Sequence, residues 1–219
     1  MADRLDTARG MFSLPLRSEM CFPFGSVEEA LKAPAPGRGE CEGLWDHYAM
    51  PPHIRAHSTQ VARVTLTLAE LLARRGASLS MPALLAGALL HDIAKIYTVN
   101  YPGDHAQIGA AIAVRETHNY MVGQMIYHHV GWPWKVDMHN GYLLHILLLD
   151  YADKRVKHDR IVTLEERFAD LRQRYGRSER SLKAIAFSHL QGQEIEKALS
   201  ERLEVAINEY PFDSGRLVP

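Results

Sequence analysis

Helical periodicity, cut at short intervals by proline, glycine and capping residues, constrains this chain more than any other feature. After Pro51 and Pro52, the residues Ile54, Val61, Val64, Leu68, Leu71 and Leu72 form an apolar stripe at helical spacing. That helix runs to about Arg75, where Gly76 offers a stop. Ser80 is placed to cap the next helix, with Pro82 in its first turn, where a missing N–H costs little. That helix carries the apolar run Met81 to Leu90, and then His91 and Asp92 near its end. Pro102 and Gly103 mark a turn, and Asp104 caps an alanine-rich helix to about Thr117. Further helices are predicted over about Asn119–His129, Gly141–Lys157 and Thr163–Tyr175, the last with a Thr163/Glu166 capping box. A final one covers about Ser178 to Asn208, ended by Pro211. No long period-2 run and no repeat of roughly 20–50 residues is present. The expected fold is an all-α helical bundle.

Upstream, Pro15, Pro23, Pro34 and Pro36 break the pattern. Ser26 to Lys32 can form a short helix with Ser26 as its N-cap, and Ala33 to Gly39 reads as a linker. The expected organisation is an extension over residues 1–40, a helical bundle over 41–208 and a tail over 209–219. With 25 basic and 26 acidic residues, no global attraction to nucleic acid or a membrane surface follows. No apolar run reaches the ~18 residues of a membrane span. The N-terminus does not read as a signal peptide. Cys21 and Cys41 make no disulfide framework, which fits a reducing cytoplasm.

Chemistry gathers where histidines and acids stand on apolar helices. His91-Asp92 closes an apolar run, and burial of two such groups is costly unless compensated. A metal ion would compensate, and so would an ordinary hydrogen-bond network. His57, His105, His128 and His129 lie on other helices of the series, as do Asp150 and Asp153. Inward-facing ligands from separate helices of a bundle can converge on one metal centre. Imidazole with carboxylate suits iron, manganese, zinc or nickel. The remaining histidines (His53, His118, His139, His145, His158 and His189) have no motif partner and read as structural or surface residues.

The ordered set of His57, then Leu-Leu-His91-Asp92-Ile-Ala-Lys95, then Tyr-Ala-Asp153-Lys, resembles the HD-domain superfamily of metal-dependent phosphohydrolases over roughly residues 45–160. The resemblance implies an HD-domain-like helical bundle. It implies His57, His91, Asp92 and Asp153 as the basic ligand set. His105, with one or both of His128 and His129, is similar to the added ligands of subgroups holding two metals, in which Asp92 would bridge the ions. Asp150 competes with Asp153 and would otherwise orient a ligand histidine. By the same resemblance, Lys95 would meet a substrate phosphate or the leaving oxygen; as a plain residue it would be a surface lysine near a helix end. Asp92 and Lys95 are thus the catalytic candidates. Arg55 and Arg155 are weaker candidates for added positive charge.

The resemblance implies hydrolysis of a phosphate ester or anhydride, on a nucleotide or related small molecule, with one or two divalent metal ions and a possible homodimer. A di-iron HD oxygenase and a non-catalytic nucleotide-binding regulatory module are the competing expectations. The chain departs from the subgroup that cleaves cyclic di-GMP. Its Asp-Gly-x-Gly-Tyr-Pro element is replaced by Val130-Gly131-Trp132-Pro133-Trp134. Trp132 and Trp134 would stack on a base or plug the end of the bundle.

Overall fold

Two helices that are apolar on nearly every face sit at the centre of the fold, as such helices must. They are seen in a computed structural model that describes residues 27–212. One is α4, Met81–Leu90; the other is α8, Gly141–Lys154, in which Tyr142 to Ala152 are all buried. Around them lie α1 (Val27–Lys32), α2 (Arg38–His47), α3 (Pro52–Arg74), α5 (Lys95–Asn100), α6 (His105–Thr117) and α7 (Tyr120–His128). The chain closes with a hairpin of β1 (Val156–Lys157) and β2 (Arg160–Ile161), then α9 (Leu164–Tyr175), α10 (Glu179–Leu203) and a 3-10 turn, Ile207–Glu209. The two strands pair antiparallel, and the architecture is otherwise all helical. The predicted N-cap Ser26, Cys21 and the far C-terminal tail lie outside the described residues.

Local chemistry sets most of the boundaries. Asp104 accepts from the N–H groups of Ala106 and Gln107, Asn119 from Val122, and Asn140 from Tyr142 and Leu143. Thr163 and Glu166 form the expected reciprocal box. The stripe Ile54, Val61, Val64, Leu68 and Leu72 on α3 is buried, with α3 packed on α4 and α8. Gly76, at φ +82°, ends that helix in a conformation that glycine adopts without strain. Ser80 holds the N-cap position of α4, but its side chain caps nothing; its N–H donates to His145 Nε2 at 2.8 Å instead.

Three boundaries differ from expectation. The stretch read as a linker to Gly39 already contains the start of α2, whose Cys41 and Trp45 are buried despite Gly39 and Gly43. The Trp45 Nε1–H donates to the Leu89 carbonyl at 2.8 Å, pinning α2 to the end of α4. The helix predicted to reach Lys157 stops at Lys154, because Arg155 turns inward. Its guanidinium donates to the carbonyls of Val162 and Ile207 and to the Tyr151 hydroxyl, which holds the hairpin and the 3-10 turn against α8. The last helix ends at Leu203 rather than near Asn208, as Glu204 takes a left-handed cap at φ 58°. No helix among the described residues is long and apolar enough to cross a membrane.

Candidate metal centre

His91 and Asp92 occupy the turn between α4 and α5 rather than the last helical residues. The turn is tight: Ile93 N–H donates to Leu90 O at 3.0 Å and Lys95 N–H to Asp92 O at 2.9 Å. Both side chains are buried, His91 at 0% and Asp92 at 1% exposure, so their partners decide what the site is. Helix α6 passes close beside this turn at Gly109. A Cβ there would stand 3.2 Å from Ile126 and 3.6 Å from the His91 carbonyl.

Three histidines are oriented by backbone carbonyls. His91 Nδ1 donates to Ala88 O at 2.8 Å, His129 Nδ1 to Ile126 O at 2.6 Å, and His57 Nδ1 to His158 O at 2.9 Å. In each ring Nε2 is thereby the atom turned inward. The inward atoms meet two carboxylates. His57 Nε2 stands 2.9 Å from Asp153 Oδ1 and 3.9 Å from Asp92 Oδ2. His91 Nε2 stands 3.5 Å from Asp92 Oδ2 and 3.7 Å from Asp153 Oδ1. On the other side, His105 Nε2 lies 3.5 Å and His129 Nε2 3.9 Å from Asp92 Oδ1, and the two Nε2 atoms are 3.2 Å apart. Two groups with metal-type spacing result, His57–His91–Asp92 and Asp92–His105–His129, sharing Asp92.

The electrostatics follow from this crowding. Burial works against the charged form of Asp92, yet His91, Lys95 and His57 hold its carboxyl well below the usual carboxylate range. Burial likewise opposes ionisation of Asp153, but the hydrogen bond to His57 and the nearby His91 outweigh it. Burial pushes His129 down to about 3 and also lowers His105, which favours the uncharged form of both rings. His91 is raised, because Asp92 and Asp153 overcome its burial. Two buried atoms at the centre, His91 Nε2 and Asp92 Oδ1, have no hydrogen-bond partner. A protein-only network leaves these atoms unsatisfied, at a cost native structures rarely bear. Imidazole nitrogens and carboxylate oxygens converging in this way are what a divalent cation requires, so the residue set fits one.

The other expected residues divide clearly. Lys95 is half-buried and donates to Asp92 Oδ2 at 2.5 Å. His128 is not brought to the cluster. As the last residue of α7 it points elsewhere, its ring centroid 4.8 Å from that of Trp134, and burial lowers it to about 4. Asp150 does not orient a ligand histidine; it is fully buried and paired with Lys154 one turn on. Arg55 is committed to Asp46 and to the carbonyls of Met50 and Trp45, and Arg155 to the hairpin, so neither serves the site. Trp132 is buried, with its carbonyl accepting from Gln191, and so packs as a plug.

A cavity of about 550 Å³ opens over the cluster, in the size range of small-molecule sites. His57, Asp92, Lys95, His105, His129 and Asp153 line its floor. Its wall includes His53 and His158, which sequence reasoning left as structural, and Arg167, Phe168, Leu171 and Arg174 of α9, which it missed. The signal was present: Leu164, Arg167, Phe168 and Leu171 make an i, i+3, i+4, i+7 stripe with an arginine in an apolar position.

Fold and site together define an all-helical protein with a buried histidine–aspartate cluster able to hold a divalent metal. The HD domain family model matches residues 54–178, more than half of the chain, and the protein belongs to the HD domain family. HD domains are usually metal-dependent phosphohydrolases. Neither the comparison with curated proteins nor that with solved structures found a match.

Proposed function

We propose that this protein is a metal-dependent phosphohydrolase that acts on a phosphate ester or anhydride of a small molecule, a nucleotide or a related compound. The observation that carries the reading is the division of Asp92. Its Oδ2 faces His57 and His91, while its Oδ1 faces His105 and His129. A carboxylate with each oxygen aimed at a separate histidine pair suits a bridge between two ions. In this reading His57, His91, Asp92 and Asp153 would hold one ion, and Asp92, His105 and His129 would hold the other. Divalent ions so placed lower the pKa of bound water toward neutrality and offset charge on phosphoryl oxygens.

The chain's own residues do the rest. The carbonyls of Ala88, Ile126 and His158 fix the ring orientations, so that Nε2 of His91, His129 and His57 faces the centre. Lys95 brings an ammonium to the cavity floor, where it can meet charge developing on a phosphoryl or leaving oxygen. Ile54, Phe168 and Leu171 give the cavity apolar walls, which strengthen those electrostatic contacts by excluding water.

Elemental analysis combined with turnover of a panel of nucleotides and simple phosphate esters tests this reading. Bound metal with phosphate release supports it. Bound iron with substrate-dependent oxygen uptake and no phosphate release would move the protein to the oxidative class instead.

A further inference from the structure

We propose that Arg167 is a substrate-binding residue, whose guanidinium takes the phosphoryl oxygens presented to the Asp92–Asp153 centre. The inference rests on the phosphohydrolase reading for its ligand class, but on separate observations for the residue.

Arg167 occupies a core position. It lies between Leu164 and Phe168 on the buried face of α9, and is itself only 8% exposed. A cation drawn out of water in this way needs hydrogen-bonded anionic partners. Its own are poor. Nη2 stands 4.0 Å from Asp153 Oδ1 and Nη1 3.9 Å from Asp170 Oδ2, both beyond hydrogen-bond reach. The buried Nε has no hydrogen-bond partner at all.

Neither carboxylate hydrogen-bonds Arg167. Asp153 already faces His57 and His91. Asp170 faces Lys157 and Arg174, each at 3.5 Å, as well as Arg167. Three cations around one carboxylate leave positive charge in excess on this wall. Arg167 also lines the same cavity as Lys95, Asp92 and Asp153. The missing partner is therefore an anion entering through the cavity and large enough to satisfy several N–H donors. A phosphoryl group has that charge and that number of acceptor oxygens, and the guanidinium fork matches it in a way an ammonium does not.

The alternative role is structural, with Arg167 simply bracing α9 against Asp153. Calorimetric titration of inorganic phosphate into the metal-loaded full chain separates the two. Wild type, Arg167→Gln and Arg167→Lys are compared, with metal content and thermal midpoint measured on each. The expected result is a loss of phosphate affinity of about tenfold or more in Arg167→Gln and a smaller loss in Arg167→Lys, with metal content retained. If Arg167→Gln does not fold, Arg167→Lys decides the question. Phosphate binding equal to wild type in the folded variants overturns the proposal, as does an absence of phosphate binding by the wild type. So does a fall in phosphate binding that only tracks a fall in metal content. Arg167-dependent phosphate binding in a protein that turns over no phosphorylated compound would uphold this assignment and defeat the hydrolase reading.

Discussion

His57 Nε2 meets Asp153 Oδ1 at 2.9 Å although 96 positions separate them in the chain. The contact ties the first turns of α3 to the last turn of α8, and so makes the cluster a product of the whole bundle. Asp153→Ala removes this tie and one inward oxygen. A loss of metal and of any phosphatase activity is expected, by two orders of magnitude or more, with the helical circular dichroism retained.

The second histidine pair separates cleanly by substitution. His129→Ala should lower the metal content and activity, since His129 Nε2 faces Asp92 Oδ1. His128→Ala should leave metal content as in wild type and show only a loss of stability, of about 1–3 kcal/mol, from the vacated contact with Trp134. Elemental analysis of the two variants side by side checks both outcomes. Metal loss in His128→Ala alone would reverse the assignment.

Lys95 is predicted to act on charge rather than to hold the centre together. Lys95→Gln should retain metal and lose turnover by about 10²–10³-fold, the usual scale for removing one electrostatic contact to a reacting group. Wild-type turnover in Lys95→Gln would mean that Lys95 serves only its contact with Asp92.

Stability at mildly acid pH carries a signature of His145, far from the metal cluster. Its Nε2 accepts from the Ser80 N–H and its Nδ1 donates to Gly141 O, so the folded state holds the ring neutral. Burial lowers it from the ordinary 6.5 to about 4. The folded value lies below the unfolded one, so the unfolded chain binds the extra proton between them. Stability from this group is present above pH 6.5 and is lost as pH falls toward 4, by about 3 kcal/mol in all. In His145→Leu, the slope of unfolding free energy against pH over that window should fall by about one proton, whatever the variant's absolute stability. An unchanged slope would rule out this account of His145.

The helical order was legible because it is written in local spacing. Stripes, caps and the adjacent His91-Asp92 pair depend on residues within a few positions of each other. What the sequence hid depends on contacts across the fold. Helix α2 begins at Arg38, inside the stretch that reads as linker to Gly39, and it is pinned where Trp45 reaches the Leu89 carbonyl. Arg155 and Arg55 looked like spare cations beside the motif, and both are consumed by distant carbonyls. His128 and His129 are neighbours in the chain. Only His129 has its Nδ1 held by the carbonyl of Ile126, which turns its ring to the centre. The arginine of α9 was visible as a cation in an apolar stripe, but its meaning came only once that stripe was seen to wall the cavity.

In the proposed function Asp92 would join two ligand groups into one metal centre. Metal bound per chain, measured by elemental analysis on wild type and Asp92→Ala after identical loading with iron, manganese, zinc or nickel, tests it most directly. The account predicts up to two ions per chain in the wild type, and loss of both groups' metal in Asp92→Ala with the helical fold intact. A wild type that takes up no ion under any of these conditions, or an Asp92→Ala variant that binds as much metal as wild type, would contradict it.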